Sequence, residues 1–390
     1  MRSALTALAA ALTVIVPAAG AAPPRAAALA ARLETLRAAA FLPAVGGAIF
    51  SSDRLDDVAA TGVRQMLRDV PVSIGDRWHI GSITKSFTAT LVAMRVERGE
   101  LSWSSTLGDL LGADRAGKFA PVTLTDLLSH RAGLPANVPG PVVSAQVASG
   151  APLPEQRQRA LDAVLSGVPA SAPGEAYLYS NAGYIIAGAL LEARAKRPWE
   201  EMIRHEVLAP LKLSGAGFGA PGTDNKIDQP RGHRQRPDGS LLVIGPGPQA
   251  DNPPFFGPAG TLHMTIRDLA RWGQEHLRGE RGRNGVVRAD TMRRLHEPPR
   301  PGADYAFGWV VRRDPGGRRV IWHNGSNTLW YAIVAFDPAA DRGVVIVTNG
   351  SIGAGRAVDA AAMELVSLAT GGAGFSRPKG GLKPAPPPEF

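Results

Sequence analysis

Gly81-Ser82-Ile83-Thr84-Lys85-Ser86-Phe87-Thr88-Ala89-Thr90-Leu91-Val92-Ala93-Met94 carries a helix signal and a reactive pair in the same few residues. Phe87, Leu91 and Met94 recur at i, i+4 and i+7, the spacing of one helical face, and Gly99 follows as a stop. Residues three apart on a helix share a face, so Lys85 falls beneath Ser82. A serine hydroxyl is a poor nucleophile until a neighbouring base takes its proton. At the N-terminus of such a helix, unpaired backbone N–H groups and the positive end of the dipole favour the oxyanion formed when Ser82 attacks a carbonyl. A free lysine titrates near 10.4, so Lys85 acts as a base only if burial or a second cation lowers that value. Taken alone, the run reads equally as a serine N-cap followed by a solvated lysine. S-x-x-K also occurs at Ser376-Arg377-Pro378-Lys379, where a proline-rich tail cannot hold the two side chains in register.

Two further elements give the pair a context. Tyr179-Ser180-Asn181 ends a turn-rich loop that leads into an apolar helical run, Ile185, Ile186, Ala187, Leu190 and Leu191. A phenol in such a loop can point into a cleft and relay a proton beside a lysine, and Asn181 can donate to a substrate carbonyl. The alternative is an ordinary half-buried tyrosine and an asparagine N-cap. The third element, His323-Asn324-Gly325, lies between two expected strands, 319–322 and 329–336. Gly325 lets a substrate approach the strand edge, and a backbone N–H just after it can supply a second oxyanion donor. His323 can bind a substrate carboxylate or adjust its neighbours' pKa values, although a histidine beside a tryptophan also serves structural ends.

These three motifs, in this order, resemble the serine β-lactamase and penicillin-binding superfamily, in particular its class C-like branch of D,D-carboxypeptidases, D-aminopeptidases, esterases and β-lactamases. Trp78-His79-Ile80-Gly81, the run from Thr123 to Pro135 with Ser129-His130-Arg131-Ala132-Gly133 at its centre, and Pro258-Ala259-Gly260-Thr261-Leu262 extend the likeness, which covers about 45–368. The resemblance implies Ser82 as the acylated nucleophile, Lys85 and Tyr179 as general base and acid, and Asn181 as a substrate-binding residue. It puts His323 and Gly325 on the third motif and implies backbone N–H groups of Ser82 and Ser326 as the oxyanion hole. Lactamases of this branch usually carry Lys-Thr-Gly where this chain has His-Asn-Gly, a form more typical of its peptidases and esterases. Arg131-Ala132 also departs from the small hydroxyl residues common there.

Composition is that of a globular chain long enough for two lobes. The formal charge is +9, but the basic residues are mostly arginines spread along the chain, without a compact run or an aromatic-basic stripe. A nucleic-acid partner is therefore not expected. Arg2, the apolar run 5–16 and Ala18-Ala19-Gly20-Ala21-Ala22 fit a secretory signal over 1–22, which implies a periplasmic or secreted protein. No later segment reads as transmembrane. The absence of cysteine excludes disulfides, a thiol nucleophile and cysteine metal sites.

The expected organisation is an α/β (α+β) fold, a β-lactamase-like antiparallel sheet flanked by helices with an inserted all-helical lobe. Strands at both ends of the chain, 44–50, 58–63, 306–312, 320–323, 329–336 and 342–348, build the sheet. Helices are expected over 27–40 and 357–369. The α/β lobe takes 23–100 and 222–372, the helical lobe 101–221, and the proline-rich tail 373–390 is expected to be disordered. Residues 224–254 read as irregular loop. No G-x-S-x-G, H-E-x-x-H, P-loop or dinucleotide fingerprint is present, so no metal or cofactor is expected. The function expected is an acyl-enzyme serine hydrolase acting on an ester or amide of a small molecule or a peptide, such as one derived from peptidoglycan. A class C-like β-lactamase and a non-catalytic peptidoglycan- or protein-binding module are the alternatives.

Overall fold

The structure, a computed structural model, describes residues 25–313, 317–350 and 352–368. The expected signal segment and proline-rich tail lie outside the described residues. In chain order, helix α1 (Arg25–Ala39) leads into the hairpin β1 (Ala44–Phe50) and β2 (Leu55–Gly62), then β3 (Arg77–His79) and α2 (Thr84–Glu97). Seven helices follow: α3 (Leu107–Leu111), α4 (Ala113–Ala116), α5 (Leu124–Leu128), α6 (Gly140–Ser149), α7 (Leu153–Leu165), α8 (Asn181–Ala195) and α9 (Trp199–Met202). Short strands β4 (Gly217–Phe218), β5 (Gly232–Gln235) and β6 (Leu241–Ile244) precede α10 (Gly257–Gly260), β7 (Leu262–Thr265), α11 (Ile266–Glu280) and α12 (Ala289–Leu295). The chain closes with β8 (Val310–Arg313), β9 (Arg319–Ser326), β10 (Tyr331–Asp337), β11 (Arg342–Thr348) and α13 (Gly355–Leu368).

The six-stranded sheet runs β2-β1-β11-β10-β9-β8 and is antiparallel throughout, so its centre joins an N-terminal strand to the last one. Ala48 of β1 and Val334 of β10 both face Val345 of β11. Strands β10 and β11 are nearly unbroken apolar runs because helices cover both faces of the sheet. On one face Leu29 and Leu33 of α1 and Val358, Ala362 and Val366 of α13 pack on Val45, Ile333 and Ile346. On the other face Ile266, Leu269 and Trp272 of α11 share a core with Phe50, Val334 and Phe336. The same core continues into the helical segment, where the Phe87 ring of α2 stacks on Trp272 at 3.8 Å.

Local chemistry sets the helix starts near the site. Ser180 caps α8 by accepting from Gly183 N at 3.0 Å, so Asn181 is the first helical residue and the cap falls one residue before it. Buried Arg157 of α7 pairs with Glu192 of α8 and Glu200 of α9, and its Nε donates to Phe255 O at 2.9 Å. That pairing fastens three helices to the turn before α10, and removing one partner leaves an uncompensated buried charge.

Three expectations need correction. His323-Asn324-Gly325 is not between strands but inside β9, which extends to Ser326 before the chain turns. The 224–254 region is not wholly irregular, since β5 and β6 form a hairpin that docks through His233 N on Leu329 O at 3.3 Å. Strand β8 starts at Val310 rather than at residue 306, because Ala306 N bonds Trp309 O at 2.8 Å in a turn that uses Gly308 at φ +79°.

Burial of histidines makes the fold acid-sensitive. Burial holds His130, His233, His276 and His296 below the ordinary histidine value, and lowers His263 to about 4 and His323 to about 3. Unfolding returns them toward about 6.5, so between there and the folded values the unfolded chain binds more protons and stability falls as pH falls. Asp57, Glu192 and Asp359, all raised by burial and the last of them to about 6, work in the opposite direction but are fewer than the six histidines. The thermal unfolding midpoint is expected to fall steadily from pH 7 to pH 4. A midpoint flat across that window contradicts neutral burial of these histidines.

Candidate active site

Ser82 sits on a 3₁₀ turn, Gly81–Ile83, that runs directly into α2. From Gly81 to Arg95 every residue but Ser82 is buried, so Ser82 is the one position of this segment open to solvent. Lys85, one turn on, has 0 % exposure. Its Nζ lies 3.0 Å from Ser82 Oγ, 2.7 Å from Asn181 Oδ1 and 2.8 Å from the carbonyl oxygen of Ala259. The solvated-lysine alternative is therefore excluded.

The three contacts of Lys85 fit either charge state. An ammonium donates to all three oxygens, whereas a neutral amine donates to Asn181 Oδ1 and Ala259 O and keeps its lone pair for the serine proton. Burial drives the Lys85 amine well below its ordinary value, which favours the neutral form.

Tyr179 is half-exposed, and its ring lies 4.9 Å from Lys85 Nζ. Burial raises its phenol, while a hydrogen bond with the Ser82 side chain opposes that rise. The phenol therefore stays protonated where Lys85 tends to be neutral. Its loop is seated on His130, which has φ +60°, accepts from Ser180 N at 3.1 Å and lies 4.2 Å from the Tyr179 ring. Four of the chain's five tyrosines, Tyr177, Tyr179, Tyr184 and Tyr305, surround this one imidazole. Asn181 bridges the site, with Oδ1 toward Lys85 and Nδ2 donating to Asn137 Oδ1 at 2.7 Å.

The third motif arrives from β9. His323 is buried, with Nε2 3.0 Å from the Tyr305 hydroxyl and Nδ1 on the Asn324 carbonyl. Burial favours a neutral ring, which donates from Nδ1–H to the carbonyl and accepts from the phenol on Nε2. Contact with a substrate anion requires one of these bonds to be released. Asn324 points to the opposite face, where its Nδ2 donates to the Tyr331 hydroxyl at 2.6 Å and to Asp359 at 3.0 Å.

Gly325 has a role its sequence context did not disclose. A Cβ there would stand 2.1 Å from Ile80 O and 2.5 Å from Ser82 N, and one on Gly81, at φ +50°, would stand 2.3 Å from Ser326 N. Two glycines thus let the Ser82 turn and the strand meet backbone to backbone, which brings the Ser82 and Ser326 amides to one junction. The space at Gly325 is occupied by the chain itself rather than kept for a substrate. Ser326 is half-exposed beside it, with Oγ donating to Trp330 O at 2.7 Å.

All seven residues singled out from sequence, Ser82, Lys85, Tyr179, Asn181, His323, Gly325 and Ser326, meet at this junction of sheet and helices. Four contributors had been missed. Ala259 and His130 lay inside stretches already quoted for their resemblance, but a backbone carbonyl and a histidine under a loop carry no sequence signal of their own. Asn137 and Tyr305 had none at all.

Comparison with known proteins places this geometry in a family. The family model described as Beta-lactamase matches residues 23–368. The chain is similar to the Unguisins hydrolase ungD of Aspergillus violaceofuscus (strain CBS 115571), 26% identical over 328 residues that cover 74% of this chain and 55% of that protein. The chain spans about half the length of the curated relatives it matches. Among solved structures, the octameric penicillin-binding protein homologue from Pyrococcus abyssi superposes with a TM-score of 0.73 at 23% identity, covering 88% of this chain and 77% of that one. A D-stereospecific amidohydrolase from Streptomyces sp. superposes at 0.67 and 20% identity, covering 87% and 98%. At these identities the two structures speak for the fold.

Proposed function

Since the chain belongs to the Beta-lactamase family, whose members are generally serine hydrolases, we propose that it is an acyl-enzyme hydrolase that prefers neutral ester or amide substrates. The observation that carries the reading is the fully buried Lys85 amine within 3.0 Å of a half-exposed Ser82 hydroxyl. Lys85 Nζ takes the Ser82 proton as Oγ attacks the substrate carbonyl. The oxyanion forms at the junction of the Ser82 and Ser326 amides. Collapse expels the alcohol or amine, which takes a proton from Tyr179 or from the Lys85 ammonium, and water then releases the acid and restores Ser82. The opposite pKa displacements of Lys85 and Tyr179 support base and acid in that order.

The substrate preference rests on His323. A neutral imidazole with both nitrogens engaged offers no cation to a carboxylate, which favours neutral esters and amides over penicillins and C-terminal carboxylates. Export is part of the proposal, supported by the charged, apolar and small-residue order of 2–22. The test is turnover of an ester and of the same ester bearing a carboxylate on its leaving side, with intact-mass detection of the acyl adduct. The neutral ester is expected to have a kcat/KM at least about tenfold higher, with the adduct on Ser82. Equal or reversed rates would remove the neutral-substrate preference, and neither adduct nor turnover would remove the hydrolase reading.

A further inference from the structure

Between the nucleophile turn and the β9–β10 turn lies a polar chain that no step above uses. His79 ends β3 two residues before Gly81 and is fully buried. Its Nδ1 accepts from Gly81 N at 3.1 Å, which puts the ring proton on Nε2, and Nε2 stands 2.7 Å from Asp251 Oδ1 as a close polar contact rather than an aligned hydrogen bond. The same carboxylate oxygen accepts from Asn327 Nδ2 at 3.2 Å and from Asn252 N at 2.7 Å. Asn327, itself buried, accepts on Oδ1 from Leu329 N and Trp330 N, each at 3.2 Å, and so shapes the turn that follows Ser326. In that turn Thr328 holds φ +76°, a conformation a β-branched residue adopts only when its surroundings impose it.

We propose that Asp251 is a positioning residue that ties the two oxyanion-donor segments together, through His79 to the Ser82 arm and through Asn327 to the Ser326 arm. The inference rests on the proposed acyl-enzyme chemistry and on both amides serving the oxyanion. The two arms come from opposite halves of the chain and touch backbone to backbone across Gly81 and Gly325. One carboxylate oxygen touching His79 and accepting from Asn327, whose Nδ2 also donates to Ala250 O at 3.0 Å, helps set their separation, and donors that must sit within a few tenths of an ångström of a developing oxyanion need such a fixture. The carboxylate acts by accepting at one point. An asparagine, whose Oδ1 can take the same position, should therefore preserve most of its effect.

The readout that isolates this role is the preference for an oxygen ester over its thionoester, because oxyanion donors stabilise a developing oxygen anion far better than a sulfur anion. The ratio of the two kcat/KM values is independent of how much enzyme is folded. Asp251→Ala is expected to lower kcat for the oxygen ester by roughly 10- to 100-fold with KM within about threefold, and to lower the oxygen-to-sulfur ratio at least about fivefold. Asp251→Asn is expected to stay within about fivefold of the parent on both measures. An unchanged ratio in Asp251→Ala overturns the proposal, and so does an asparagine variant as impaired as the alanine. Ser82→Ala run beside them separates the two levels. If it retains the parent's rate, the acyl-enzyme reading itself has failed. If it is inactive while Asp251→Ala keeps the parent's ratio, only the positioning role has failed.

Discussion

Ser82→Ala is expected to give a folded protein without turnover, its ester hydrolysis lower by at least about a thousandfold and close to the uncatalysed rate. The alanine removes the only atom that can carry the acyl group. Whatever binding and oxyanion stabilisation remain then act on water as the attacking group, which accounts for the small residue of activity. The change costs little structurally, since Ser82 is half-exposed and Lys85 keeps its contacts with Asn181 and Ala259. A thermal midpoint within a few degrees of the parent is anticipated. Parental turnover in that variant would end the assignment of Ser82.

Lys85→Met should be nearly as damaging, with kcat lower by about 10²- to 10⁴-fold. Methionine is likewise unbranched, one atom shorter, and fills most of the buried space without an amine. It leaves Asn181 Oδ1 and Ala259 O without their donor, a cost to stability of about 1–3 kcal/mol that is separable from the kinetic effect by titrating folded enzyme. The parent's pH dependence carries the sharper prediction. A base must be deprotonated to act, so kcat/KM rises with pH through the Lys85 titration and levels off above it. Because burial lowers that titration, the rising limb should lie well below 10.5, and Lys85→Met should lose it. A limb at the ordinary lysine value, or one that persists in the methionine variant, would assign the base elsewhere.

Much of the fold was legible because its signals are local. The β11 run Arg342–Thr348 is a row of β-branched residues bounded by turns, and its limits were read from sequence without error. The α2 periodicity located the Ser82–Lys85 pair, and the pairing of terminal strands followed from where strand patterns reappear. What escaped was set by tertiary contact. Gly325 reads as an opening for ligand until the backbone of Ile80 and Ser82 is seen to fill that space. Gly325 and Ser326 read as a break after a strand, yet pairing with Ala332 and Tyr331 keeps them in β9. His323 looked like an anion ligand because nothing in its neighbourhood announces Tyr305, whose phenol engages its Nε2. Local pattern supplies reactive groups, whereas their protonation depends on partners far away in sequence.

The antiparallel contact of β1 with β11 carries a consequence for the history of each molecule rather than for its finished state. Translation delivers Ser82 and Lys85 early, but the strand that ends in Ser326 and the two that lock it into the sheet come last. An incomplete chain on the ribosome thus holds the proposed pair, Ser82 and Lys85, without the Ser326 amide. On the proposed chemistry, the site is therefore complete only once β9, β10 and β11 have joined the sheet begun by β1 and β2.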